Sequence, residues 1–171
     1  QAITEEISRE SYLAHSGHKQ GAEFKPIYDR YAHVLGSDAL DLTVELFRDA
    51  VPGTEEHRSA ALLLEWQLDS QASRSLAELD ERESAWETTA YIETSDGDRI
   101  QYQAAAIEIA NQQDRKKRLA LDAARTALVE KEHSPLRLER LQREKEYIES
   151  LGIASNYNTA FEEISGVSLT S

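Results

Sequence analysis

The longest uninterrupted helical pattern in this sequence runs from Thr54 to Thr89 without a glycine or a proline. Thr54 followed by Glu55 and Glu56 is typical of a capped helix start, because a threonine oxygen accepts a free amide hydrogen and acidic residues favour the first turn. Apolar residues recur within the stretch at steps of three, four and seven, at Leu64, Leu68, Ala72, Leu76, Leu79 and Trp86. This spacing predicts one long helix with an apolar stripe on one side and charged residues on the other.

Glycines, prolines and polar clusters divide the rest of the chain into shorter predicted helices. They cover about residues 3–19, 26–35, 38–50, 104–110, 115–133, 138–151 and 157–164. Pro135 is expected to kink or interrupt the helix that begins at Arg115, because proline lacks an amide hydrogen and clashes with the preceding turn. The residues of that helix predicted to face inward are Leu119, Ala123 and Ala127, together with Leu121, Ala124 and Leu128.

One β signal interrupts the helices, at about residues 91–103. Two strand-like runs, Tyr91–Thr94 and Arg99–Tyr102, flank an Asp96-Gly97 pair that favours a tight hairpin turn. Because an isolated hairpin is marginally stable in water, this one is expected to lie against helices. The sequence therefore predicts a mainly-α chain, a single domain over residues 1–171 built as an antiparallel helical bundle with two long helices and one small β-hairpin.

Composition excludes several classes of function. The net charge of −13 argues against nucleic-acid binding, which needs clustered basic residues, and the one basic run, Arg115–Arg118, is interpreted as a solvated helix face. The absence of cysteine excludes disulfides, thiolate zinc sites and thiol nucleophiles. The richest apolar run ends at Glu65, too short for a membrane span. The start at Gln1 and the lack of methionine suggest a fragment of a longer chain, either cytoplasmic or exported after signal cleavage.

The histidines do not form a recognisable metal motif. His15 and His18 are three residues apart and can offer two ligands, whereas a zinc site needs three or four, so they are interpreted as exposed histidines. Glu132-His133 lacks a second histidine four positions away, which zinc hydrolases use to hold the metal. His133 is instead interpreted as a helix C-terminal residue, just before Ser134-Pro135, that complements the helix dipole.

The remaining polar and aromatic candidates also have structural interpretations. Adjacent carboxylates point in different directions from a helix and so do not make an acid–base pair. Aromatic residues at helical spacing are interpreted as core anchors, with a substrate groove as the alternative. The sequence therefore predicts no catalytic, cofactor-binding or metal-ligating residue. The residues considered are Glu5-Glu6, Glu55-Glu56 and Glu162-Glu163 among carboxylates, and Trp66, Trp86, Tyr28, Tyr31, Tyr91, Tyr102 and Tyr157 among aromatics.

One order of phrases resembles a known family. It runs from the hairpin Tyr91–Gln103 through Ala106–Arg115 and Leu121–Arg125 to Glu132–Leu136, and closes with Tyr157–Gly166. The pattern A-N-x-x-D-R-x-x-R at the start of a helix, followed by Y-x-x-x-F-E-E-I-S-G, resembles the region N-terminal to the catalytic core in zinc metallopeptidases of the oligoendopeptidase F and thimet oligopeptidase type.

The resemblance implies a non-catalytic helical domain that forms part of the wall of a peptide-binding channel. The partners it implies are the catalytic domain of the same parent protein and, through it, a peptide substrate. The family's zinc-binding His-Glu-x-x-His pair and downstream glutamate would lie beyond Ser171, so zinc is expected only in that absent domain. The alternative is a stand-alone interaction or scaffold domain that pairs as a homodimer through the Leu68–Trp86 stripe. A small-ligand sensor, suggested by the aromatic content alone, ranks last.

Overall fold

The structure is a computed structural model that describes residues 2–94, 97–165 and 167–169. The prediction of a mainly-α fold with one small antiparallel hairpin is confirmed. In the described residues, no helix combines the length and the apolar character that crossing a membrane requires. In chain order the elements are α1 Ala2–His15, α2 Lys25–Arg30, α3 Ser37–Asp49, α4 Glu55–Thr89, β1 Tyr91–Glu93, β2 Arg99–Gln101, α5 Tyr102–Asn111, α6 Arg115–Leu128, a π-turn Val129–His133, α7 Ser134–Ser150 and α8 Tyr157–Ser165.

The long helix α4 follows the sequence prediction closely. The His57 amide donates a hydrogen bond to Thr54 Oγ1 at 3.2 Å, so the threonine caps the helix as expected. The apolar stripe is covered by the chain itself, with Trp86 half-buried and five members buried: Leu64, Leu68, Ala72, Leu76 and Leu79. These leucines are therefore not exposed for pairing with a second chain.

The chain folds into two compact units that alternate along the sequence. The first unit comprises the chain up to Phe24 together with Glu78–Arg140, and the second comprises Lys25–Ala77 together with the chain from Leu141. Each unit therefore needs two separate stretches of sequence. Each also contains one of the two tryptophans, Trp86 in the first unit and Trp66 in the second.

The hairpin lies against helices in the first unit, as predicted. Strands β1 and β2 are antiparallel with Ile92 opposite Ile100. Asp96 of the predicted Asp96-Gly97 turn lies outside the described residues. Ile92 is only 1% exposed and packs with Ala105 of α5 and Leu121 of α6. This contact gives the two short strands the apolar cover that they lack alone.

One of the two rows predicted to face inward on α6 is wrong. Leu121 is buried, and Ala124 and Leu128 pack beside it, whereas Leu119, Ala123 and Ala127 are exposed. Residues two apart on an α-helix point about 200° apart, so rows that begin at 119 and 121 cannot both meet one neighbour. The row that meets the hairpin is the buried one.

Helix α1 is shorter than predicted, and the segment after it approaches α4 closely. The helix ends at His15, and Gly17 adopts a positive φ of 79°. Gly21 also has a positive φ, 100°, and a Cβ added there would lie 3.1 Å from Ala85 Cα. Beside it, the Ala22 amide donates to Ser84 Oγ at 2.9 Å. These contacts fix the end of the N-terminal segment on α4.

The predicted helix end at His133 is wrong. Helix α6 leads into the π-turn, in which the Ser134 amide donates to the carbonyl of Val129, five residues earlier, and α7 follows directly. Pro135 lies in the first turn of α7. A widened turn just before a proline accommodates its ring and its missing donor, since the ordinary α-helical turn would clash. His133 is consequently buried, 5% exposed, and not at a helix C-terminus.

The second unit has its own apolar core. Leu40 of α3 packs with Leu64 and Leu68 of α4, and α7 and α8 cover them with Ile148 and Ile164. The predicted start of the last helix is confirmed, since the Thr159 amide donates to Asn156 Oδ1 at 3.0 Å.

Polar contacts also cross the second unit. The Tyr147 hydroxyl of α7 donates to Gln71 Oε1 of α4 at 3.2 Å. Burial raises the pKa of Tyr147, and the nearby positive charge of Arg74 offsets this only in part. The hydroxyl therefore stays protonated as a donor between these two helices.

Candidate functional site

Four titratable side chains of the first unit meet around Glu87, and we call them the imidazole–carboxylate cluster: His15, Glu83, Glu87 and His133. His133 Nε2 lies 2.7 Å from Glu83 Oε1 and 3.9 Å from Glu87 Oε1. One ligand-type atom from each of Glu83, Glu87 and His133 can be chosen so that all lie within 4.8 Å of one another. His15 Nε2 approaches the other oxygen of Glu87, at 3.3 Å.

Three elements bring these side chains together. Glu83 and Glu87 are four residues apart on α4, so they lie on one face of that helix. His133 is the last residue of the π-turn, and His15 is the last residue of α1. His18, which the sequence places beside His15, lies beyond the end of α1, and its Nδ1 is 2.8 Å from Ser16 Oγ. The two histidines predicted to share a helix face therefore have different surroundings.

Aromatic rings hold His133 in place. The Trp86 ring stacks on the His133 ring with centroids 4.5 Å apart and planes 9° apart, and Tyr102 meets the same ring edge-on at 6.2 Å. The Trp86 indole donates to Glu132 Oε2 at 3.1 Å. This hydrogen bond, with a smaller effect from Lys131, lowers the pKa of Glu132 and outweighs its desolvation.

The side chain of Arg137 also approaches the imidazole–carboxylate cluster. Arg137 Nε lies 3.7 Å from Glu83 Oε1, although the Arg137 side chain is 67% exposed. An exposed ion pair of this length contributes little, because water screens it and the long side chain loses freedom.

An apolar cleft of about 370 Å³ lies in the second unit, lined by α4, α7 and α8. Leu68 and Ala160 form buried parts of its surface, whereas Leu62 and Phe161 are 62% and 42% exposed. Trp66 is half-buried in its wall. The cleft thus presents large apolar side chains to solvent beside a packed core.

The charged side chains that line the cleft are all acidic. They are Glu65 and Asp69 on α4 and Glu144 on α7. The Tyr157 hydroxyl of α8 donates to Glu144 Oε1 at 3.4 Å, and the Tyr157 amide donates to Glu149 Oε1 at 3.2 Å. These bonds join the start of α8 to α7 at the edge of the cleft.

The aromatic residues singled out in the sequence fall into different surroundings. Trp66 and Tyr157 line the cleft, Trp86 and Tyr102 surround His133, and Tyr28 is buried in the core. The sequence analysis did not single out Glu83 and Glu87. Their spacing of four residues was the available signal, but the acidic face of α4 contains many such carboxylates, and their histidine partners come from distant parts of the chain.

Comparisons with protein-family models, with curated proteins and with solved structures find no match to this chain. The resemblance to zinc metallopeptidases therefore stays a prediction from sequence phrases. The structure itself defines a broader class of protein than this family. It is a mainly-α, acidic chain with an apolar cleft in one unit and an imidazole–carboxylate cluster in the other.

Proposed function

We propose that this chain is a non-catalytic helical domain that binds a polypeptide segment through the cleft of the second unit. We further propose that it forms the N-terminal part of a zinc metallopeptidase of the oligoendopeptidase F and thimet oligopeptidase type. The carrying observation is the cleft itself, with exposed Leu62 and Phe161 beside Trp66. Exposed apolar side chains grouped in a concave surface are typical of binding sites.

The charge of the cleft supports a basic segment as its partner. The cleft offers apolar contacts and three carboxylates, on Glu65, Asp69 and Glu144, and no basic side chain lines it among the described residues. A segment with apolar side chains and at least one lysine or arginine complements both features. The negative charge of the cleft also speeds its association with a basic segment and disfavours the binding of acidic segments.

The peptidase part of the proposal draws on the position of one sequence phrase. Helix α8, Tyr157–Ser165, contains most of the Y-x-x-x-F-E-E-I-S-G phrase, and Tyr157, Phe161 and Ile164 of this helix line the cleft. In a parent peptidase, the cleft would then belong to the wall of the peptide-binding channel. The alternative, a stand-alone interaction domain, would use the same cleft for a partner protein.

A peptide titration tests the binding proposal. In a Trp86→Phe variant, Trp66 is the remaining tryptophan and reports on the cleft. We expect an amphipathic peptide of leucine and lysine to change the Trp66 emission, and its counterpart with glutamate in place of lysine to have no effect. Leu62→Ala should weaken binding about tenfold, since losing most of a leucine contact costs about 1.5 kcal/mol.

Leu119→Ala is the matched control, because Leu119 is exposed to a similar extent, 56% against 62% for Leu62, but lies on α6 in the first unit. Equal binding of the two peptides, or insensitivity to Leu62→Ala, would overturn the binding proposal. Cleavage of a fluorogenic peptide by the purified chain with added zinc would overturn the non-catalytic assignment. A His-Glu-x-x-His motif downstream in the same reading frame would support the peptidase assignment, and its absence would favour the stand-alone domain.

A further inference from the structure

We infer that the imidazole–carboxylate cluster of the first unit is a binding site for a divalent transition metal of the zinc class. The sequence shows no recognisable metal motif and predicts no metal ligand in this chain, and the histidines of the cluster, His15 and His133, come from distant parts of it. The inference is independent of the proposed polypeptide binding, which concerns the second unit. It rests on the donor spacing, the position of His15 and the support around His133.

The spacing of the donors fits one metal ion. Zinc lies about 2.0–2.2 Å from nitrogen and oxygen ligands, so neighbouring ligands of a tetrahedral site are about 3.4 Å apart. The distances from His133 Nε2 to the nearest oxygens of Glu83 and Glu87, 2.7 and 3.9 Å, bracket this value. For His133, Glu83 and Glu87 to hold one ion, the 2.7 Å contact would lengthen by about 0.7 Å and the 3.9 Å contact would shorten by about 0.5 Å.

His15 is placed beside Glu87 as a further imidazole donor. Its Nδ1 lies 2.8 Å from the Ser11 carbonyl oxygen, and its Nε2 lies 3.3 Å from Glu87 Oε2. Metal-binding histidines commonly hold their other ring N–H on a backbone carbonyl in this way.

The surroundings of His133 supply the rigidity that a metal ligand needs. The imidazole is buried, stacked on Trp86 and met edge-on by Tyr102. It sits in a π-turn, a local distortion that is frequent at functional sites. An imidazole and two carboxylates, with the His15 imidazole beside Glu87, suit zinc, cobalt or nickel better than magnesium or calcium, which prefer oxygen ligands alone.

The test uses the metal-free chain and zinc or cobalt chloride. We expect calorimetry to show one zinc ion per chain, and Co²⁺ to quench the emission of Trp86 in a Trp66→Phe variant. Glu87→Gln, which keeps the shape of the side chain, should weaken zinc binding by at least about tenfold. His15→Ala should also weaken it, and because His15 is exposed, this variant should fold normally.

The control is His18→Ala, which removes a neighbouring exposed histidine outside the cluster and should leave zinc affinity unchanged. The inference is overturned if the folded chain binds no zinc, or if zinc binds equally well to the parent, Glu87→Gln and His15→Ala chains. Zinc binding without peptide cleavage supports this inference and leaves the non-catalytic assignment intact.

Discussion

The close approach of Gly21 to α4 predicts an unequal response of two glycines to the same substitution. Gly17 and Gly21 both have positive φ, 79° and 100°, a conformation that costs a residue with a Cβ about 1–2 kcal/mol. At Gly17 an added Cβ meets nothing within 4 Å. At Gly21 it lies 3.1 Å from Ala85 Cα and Cβ and 3.2 Å from Ala85 N, two of which are backbone atoms of a helix and cannot turn aside.

We expect Gly17→Ala to lower the free energy of unfolding by about 1–2 kcal/mol, from the backbone conformation alone. Gly21→Ala should lower it by about 2–5 kcal/mol, because crowding a packed contact adds about 1–3 kcal/mol. Urea unfolding of Trp66→Phe variants, followed by the emission of Trp86 in the first unit, measures both. With a urea dependence of about 2 kcal/mol per molar, the two midpoints should differ by about 0.5–1.5 M.

The reasoning is refuted if the two substitutions shift the urea midpoint equally. Equal shifts would mean that positive φ accounts for the whole cost and that the segment around Gly21 does not press on Ala85. A larger loss for Gly17→Ala would contradict the same contact more strongly. The two variants differ from the parent by one methyl group each, so their comparison cancels the effect of Gly→Ala on the unfolded chain.

Two further predictions concern the first unit. Burial alone would raise the pKa of Glu10, but hydrogen bonds from Lys19 and from the Glu23 amide outweigh it and lower that pKa below its ordinary 4.5. The stabilisation that the ionised Glu10 side chain contributes is therefore complete above pH 4.5 and is lost as the pH falls through the lowered pKa. The difference in unfolding free energy between the parent and Glu10→Gln, measured by urea unfolding, should shrink on acidification. A difference that grows would contradict this prediction. On α6, Leu121→Ala should lower the free energy of unfolding by about 2–5 kcal/mol and Leu119→Ala by less than about 0.5 kcal/mol, measured by thermal or urea unfolding. Similar losses for the two variants would contradict the burial of Leu121.

Local signals in the sequence predicted most of the helices. The cap at Thr54 and the stripe of α4 are each set by residues within a few helical turns of one another, and the structure confirms them. The same holds for the hairpin, whose strands are adjacent in sequence. Short-range hydrogen bonds and helical periodicity decide these features, so a single sequence suffices to predict them.

Features that depend on distant contacts were not predictable in the same way. Two apolar rows on α6 looked equivalent, and only the position of the hairpin makes Leu121 the buried one. The π-turn at His133 arises where a proline follows a helix that tertiary packing keeps continuous, whereas local rules favour an end. The imidazole–carboxylate cluster needs α1, α4 and the π-turn together, and no spacing in the sequence relates them.

The alternation of the two units along the chain has a consequence for biosynthesis. As the ribosome extends the chain, every segment of the first unit exists once Arg140 has been added, whereas Lys25–Ala77 still lacks α8 and most of α7. Until α7 and α8 have been added, Leu64 and Leu68 lack the cover of Ile148 and Ile164. The nascent second unit therefore exposes apolar surface for longer than the first, and is the part of the chain that a chaperone would protect.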